Sequence, residues 1–253
     1  SEEIVGQAVK GRSERPFIFT KCSLVWDQSR KVSNSLKADS VKRECEASLR
    51  RLGIDAIDLY QIHWPNPESE IEEGWAAMAE LKREGKVRHI GVSNFNVAQM
   101  ERLQRIAPVE TLQPPYSLVD RHIERDILPY CQQHNIGVIV YSPMASGLLT
   151  GKMTPERVAN MEQDDWRRNA EQFQEPRLSR NLQLAGVLRR IGERHSVSPG
   201  AVAIAWTLRH PAVTAAIVGA RRPDQVDETV AAANLQLTDD DLAEIDAFLR
   251  AHP

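Results

Sequence analysis

The stretch DLYQIHWPNPESEIEEGWAAMAELKREGKVRHIGVSN, residues 58–94, decides the fold. An apolar run from Asp58 to Trp64 leads into a segment with helical spacing, Ile71 to Glu84, that stops at Gly85; a second apolar run follows from His89. Strand, helix and strand at so short a repeat form a βαβ unit, whose two strands pair in parallel. Strands that are apolar almost throughout are covered on both faces.

The same pattern continues outward in both directions. FIFTKC from Phe17, TLQPPYS from Thr111, GVIVYSP from Gly137 and AAIVGA from Ala215 bring the count to six candidate strands. Helices are expected from Asp39 to Leu52, where Val41, Cys45, Leu49 and Leu52 share a face before Gly53, from Val97 to Ile106, and from Glu124 to His134. A further helix opens the sequence, Ser1 to Lys10, with Ser1 as its N-cap.

About 70 residues separate Ser142 from Ala215, more than one helix and two loops require. The polar part, Met153 to Pro176, reads as a flexible flap, of which Thr154 to Gln174 is expected to close over a bound cofactor. Helices at about Arg180 to His195 and Pro199 to Arg209 follow, the second capped by Ser198. The last helix starts at Thr238 with three aspartates in its first turn.

Alternating strands and helices fit an α/β barrel or a doubly wound sheet. A dinucleotide domain of the second kind carries G-x-G-x-x-G after its first strand, and no such string occurs. The expectation is therefore one (β/α)8 TIM-barrel domain spanning residues 1–253, with six of its eight βα units visible. The other two are expected upstream of Ser1, on the order of 60 residues.

Composition sets outer limits. Of 253 residues, 42% are hydrophobic and 26% charged, as in an ordinary globular chain. A net charge of -3 gives no electrostatic reason to expect nucleic acid as a partner. No apolar stretch reaches the roughly 18 to 20 residues of a membrane span, and Ser1-Glu2-Glu3 is unlike a signal peptide, so the expected location is the cytoplasm, with no membrane partner. Cys22, Cys45 and Cys131 are too scattered for a disulfide framework or a zinc site, and no metal is expected.

Active sites of such barrels lie at the C-terminal ends of the strands. Lys21, His63, Ser93 with Asn94, Gln113, Tyr141 and Gly219 stand at or near these ends. Taken singly, each has a plainer explanation: a histidine in an apolar strand is commonly a hydrogen-bonded core residue, and Ser93-Asn94 is an ordinary turn with an N-cap. Their recurrence on successive strands favours a site. A partly buried Lys21 ammonium implies an acidic neighbour, and no carboxylate is singled out by the sequence.

In that order, FIFTKC, DLYQIHWP, HIGVSNF, LQPPYS, VYSPMASGLLTGK and IVGARRPDQVDE resemble the signatures of the aldo-keto reductases across essentially the whole chain. The resemblance implies NADPH (NADP+) as cofactor and a small-molecule aldehyde or ketone as substrate. Of the family's Asp, Tyr, Lys and His tetrad, Lys21 and His63 match. The Asp and Tyr belong to a D-T-A-x-x-Y-G string that precedes S-E-E-x-V-G in relatives, so they are expected upstream of Ser1. Lys21 would lower the phenol's pKa from about 10, and His63 would orient the carbonyl.

The resemblance also implies that Ser93, Asn94 and Gln113 hold the carboxamide and Tyr141 stacks on the nicotinamide. Ser142, Pro143, Met144, Ser146, Gly147, Leu149 and Lys152 would line the pyrophosphate, although the segment is not a Walker loop. Gly219, Arg221, Gln225 and Glu228 would meet the adenosine and its 2′-phosphate; Thr229 stands where many relatives have Asn. Trp64 and Trp26 are candidates for apolar substrate walls. A second reading is a non-catalytic nicotinamide-binding module resembling the potassium-channel β subunits, which share this barrel.

Overall fold

The fold is α/β, with helices alternating with parallel strands in a computed structural model that describes residues 1–252. Two units are distinguished: residues 1–114 with 126–138, and residues 115–125 with 139 onward.

The first unit carries the parallel strands β1 (Phe19–Cys22), β4 (Ile57–Ile62), β5 (Val87–Ser93), β6 (Thr111–Gln113) and the start of β7 (Gly137–Tyr141), in the order β1-β4-β5-β6-β7. Its helices are α1 (Glu2–Val9), α2 (Ala38–Leu52), α3 (Ile71–Arg83), α4 (Val97–Gln104) and α5 (Ile127–Gln133). All six residues of β4 are buried, as expected of a parallel strand covered on both faces. Register places Lys21 opposite Gln61, Gln61 opposite Gly91 and Ser93 opposite Gln113. Gly91 cannot be replaced without a shift, because a Cβ there would lie 2.0 Å from the Thr111 hydroxyl.

Several boundaries differ from those read in the sequence. The TLQPPYS strand ends at Gln113, since Pro114 and Pro115 have no N–H for the ladder. Ser1 precedes α1, but its side chain makes no capping bond; its carbonyl accepts from Val5 N–H at 3.0 Å. Beyond β1 an antiparallel hairpin pairs β2 (Leu24–Trp26) with β3 (Val32–Asn34). Its turn is held by Asp27, whose Oδ1 accepts from Ser29 N, Ser29 Oγ and Lys31 N, while Arg30 takes φ +63°. Left-handed backbone is usually a glycine's work, and the arginine hid this turn.

The second unit contains the end of β7, β8 (Val213–Ile217), and helices α6 (Pro155–Ala159), α7 (Arg177–His195), α8 (Pro199–Leu208), α9 (Pro223–Val230) and α10 (Asp239–Ala251). Because β8 stops at Ile217, Gly219 lies in the exposed loop beyond it rather than ending the strand. Residues Gly200 to Thr207 of α8 are all buried, and Ala201, Ile204 and Ala205 pack with Ala232. Ser198 caps α8 as expected, and Thr238, the expected start of the last helix, is the N-cap of α10.

The segment from Met153 to Pro176 is polar and mostly exposed, with Met153, Val158 and Phe173 buried. It folds into α6 and two short 3-10 turns around Leu148, Met153, Val158, Phe173 and Leu178. Buried Asn181 donates to both the backbone and side-chain oxygens of Gln172, each at 3.0 Å. Three apolar residues scattered through a polar stretch, with Leu148 and Leu178 on either side of it, form one cluster.

Candidate active site

Lys21 is the next-to-last residue of β1, and His63 directly follows β4. The His63 N–H donates to the Cys22 carbonyl at 3.1 Å, so adjacent parallel strands bring the two side chains close. Both are half-buried. Burial lowers the Lys21 pKa below the ordinary lysine value. Burial and then the charge of Lys21 lower that of His63. No acidic partner is found for Lys21 among the described residues; Lys21 lines an open cavity of about 860 Å³ with Glu2, Trp26, Glu44 and Arg51. Trp64 stacks on the His63 ring at 5.8 Å and 20°, and Trp26, on the hairpin, is 65% exposed.

A network of buried amides and hydroxyls stands beside His63. Gln113 Nε2 donates to Gln61 Oε1 at 2.9 Å, and Gln61 Nε2 donates to Thr111 Oγ1 at 3.3 Å. Ser93 Oγ donates to the Gln113 carbonyl at 2.8 Å; Asn94 Nδ2 donates to the His63 carbonyl at 3.1 Å and to Ser93 Oγ at 3.0 Å. Asn94 takes φ +64°, a conformation asparagine tolerates better than most residues. Neither Ser93 nor Asn94 is a helix cap: Asn96 caps α4 in a reciprocal pair with Gln99. Gln61 belongs to this network and was passed over in the sequence. Its signal was a lone amide inside an otherwise apolar run.

The second unit holds the remaining candidates. The carbonyl of half-buried Tyr141 accepts from Tyr116 N–H at 3.1 Å. Directly after it the backbone is strained: Ser142, Ala145 and Ser146 have φ of +57°, +48° and +53°, and Gly147 and Gly151 have +100° and +70°. Such residues cluster at ligand-binding turns, where successive N–H groups can face an anion. Pro143 and Leu149 are buried within this segment, and Met144 packs toward Gly200. Lys152 is paired with Glu228, its Nζ 3.1 and 3.0 Å from the two carboxylate oxygens. Gln225 Oε1 accepts from Arg221 N–H at 2.7 Å. Arg222 is engaged by Asp224 through two bonds, whereas the Arg221 guanidinium has no hydrogen-bond partner among the described residues.

None of the four tyrosines is a phenol tuned by Lys21. Burial raises the pKa of Tyr60, Tyr116, Tyr130 and Tyr141 alike.

Comparison with known proteins extends these observations. A model described as the Aldo/keto reductase family matches residues 1–250. The chain is similar to Aldo-keto reductase YhdN of Bacillus subtilis, 39% identical over 98% of this chain and 75% of that protein. It is also similar to the NADH-specific methylglyoxal reductase of Escherichia coli, 35% identical over 95% of this chain and 77% of the other. Among solved structures, the glycerol dehydrogenase AKR11B4 from Gluconobacter oxydans superposes with a TM-score of 0.92 at 37% identity, covering 99% of this chain and 77% of that one. No helix among the described residues is long and apolar enough to cross a membrane.

Proposed function

We propose, from the premise that the chain belongs to the aldo/keto reductase family, that it reduces an aldehyde or ketone to an alcohol with NADPH. The observation that carries this reading is the neighbouring pair Lys21 and His63 at adjacent strand ends, braced by the Ser93, Asn94 and Gln113 network. Bound NADPH supplies a hydride. His63 hydrogen-bonds the substrate carbonyl and fixes its orientation. Lys21 would hold its ammonium near the phenol that, on the family's pattern, protonates the developing alkoxide. The fall in phenol pKa needed is about 2 to 3 units, or roughly 3 to 4 kcal/mol.

The residues available suit the cofactor. Asn94 and Gln113 have the donors and acceptors a carboxamide needs, and Tyr141 offers a face for the nicotinamide. The left-handed residues Ser142, Ala145, Ser146 and Gly147 suit a pyrophosphate, which Pro143, Met144, Leu149 and Lys152 also flank. The guanidinium of Arg221, near enough to Asp165 to feel its charge but without a hydrogen-bond partner among the described residues, suits a 2′-phosphate and favours NADPH over NADH, with Gly219, Gln225 and Glu228 around the adenosine. Trp64, stacked on His63, is the better substrate wall of the two tryptophans.

The test is to mix the protein with NADPH and a panel of aldehydes and ketones that includes methylglyoxal, following cofactor absorbance and product. One alcohol formed per NADPH consumed is expected. Cofactor binding with no turnover on any carbonyl would overturn the reading.

A further inference from the structure

The last ladder bond beside Lys21 and His63 runs from the His63 N–H to the Cys22 carbonyl at 3.1 Å, and parallel chains are free to splay beyond such a bond. Ser23 lies at that point. It is fully buried and takes φ +91°, far from the comfortable regions for a residue with a side chain. Every polar group it owns is engaged. Its N–H donates to Glu44 Oε2 at 2.9 Å, its carbonyl accepts from Ser35 N–H at 3.1 Å, and its hydroxyl accepts from Trp64 N–H at 3.4 Å. Glu44, on α2, is itself held by Ser40 Oγ at 3.1 Å.

The consequence is geometric. Ser23 is two residues past Lys21, and Trp64 directly follows His63, so one serine joins the chain leaving each of these residues. A glycine would accept φ +91° without strain. The strained serine, with its hydroxyl turned to the neighbouring strand, is therefore a feature that backbone shape alone does not require.

We propose that Ser23, held from behind by Glu44, is the positioning residue that sets the spacing of Lys21 and His63. It touches neither substrate nor cofactor. It rests on the carbonyl-reductase reading above, because spacing matters only if the two side chains act together.

Ser23→Gly separates stability from activity. It relieves strain, so the thermal midpoint should hold or rise, while the lost hydroxyl frees the Trp64 peptide and kcat should fall about 10-fold, as a misplaced reacting group predicts. The Kd for NADPH should not change. Glu44→Ala should lower kcat likewise, at some cost in stability because the buried Ser23 N–H loses its acceptor, and Glu44→Gln, which keeps an oxygen for that N–H, should restore most of the rate. Lys21→Met is assayed in parallel. If Ser23→Gly and Glu44→Ala turn over at the wild-type rate while Lys21→Met is inactive, the positioning role is wrong and the reductase reading stands. The role is equally wrong if their rates fall only as far as their folded fraction. If Lys21→Met itself turns over normally, the underlying reading fails and takes the proposal with it.

Discussion

The candidate residues of the two units are held by opposite means. In the first, Lys21, His63, Ser93, Asn94 and Gln113 stand at or just past strand ends, and neutral amides and hydroxyls tie the His63 backbone, Ser93, Asn94 and Gln113 together through bonds of 2.8 to 3.1 Å. In the second, Lys152, Arg221 and Glu228 are exposed, and the Ser142 to Gly151 segment stores backbone strain. Groups that act on a reacting bond gain from fixed geometry, which buried hydrogen bonds supply. Groups that must receive and release a charged ligand gain from exposure, where an ion pair costs little to break.

That contrast can be broken at either end. The largest effect expected is on the rigid side: His63→Ala should lower kcat about 100-fold, the scale set by one oriented hydrogen bond to a carbonyl oxygen. Steady-state kinetics at saturating NADPH would check it, and a change confined to the cofactor KM would count against a fixed catalytic role.

Next comes a test of the second unit's own rigid point. Buried Asp241 receives Arg194 at 2.7 Å and His195 at 2.6 Å while capping α10 with Thr238. Burial alone would raise its carboxyl pKa; the Arg194 bond, with those of Thr238 and His195, outweighs this and holds the carboxyl below the ordinary range. Its folded pKa is thus lower than its unfolded one. The stability it contributes is present above the unfolded value and is lost as pH falls through the folded one. Asp241→Asn should cost about 2 kcal/mol near neutrality, measured by urea unfolding, and should flatten the acid limb of the stability profile.

On the exposed side, Arg221→Ala should weaken NADPH about 10-fold and NADH hardly at all, since one charge-assisted phosphate contact is lost. Calorimetric titration of both cofactors decides this, and equal losses would remove the 2′-phosphate assignment. The smallest effect belongs to the Lys152 and Glu228 pair. Lys152→Ala should change unfolding free energy by less than about 1 kcal/mol, because both side chains are well exposed.

The order of strands and helices was legible because the chain repeats one pattern, an apolar run ended by a polar residue and followed by helical spacing. Lys21, His63, Ser93, Asn94 and Gln113 could be named for the same reason, each marking where such a run stops. Pairings between distant residues were not legible. Nothing in the sequence says that Lys152 meets Glu228, that Asp241 gathers Arg194 and His195, or that Ser23 takes a glycine's conformation. The packing of residues 153–176 is hidden as well, since Met153, Val158 and Phe173 follow neither a helical nor an alternating period.

The central claim is that Lys21 serves the chemical step and not cofactor binding. It is tested by measuring, on the same preparation of Lys21→Met, the rate of carbonyl reduction at saturating NADPH and the Kd of NADPH by fluorescence quenching. The account predicts a rate at least about 100-fold below wild type, the lower end of what a lost acid–base group costs, with the Kd essentially kept. A wild-type rate, or a loss explained wholly by weaker cofactor binding, would contradict it.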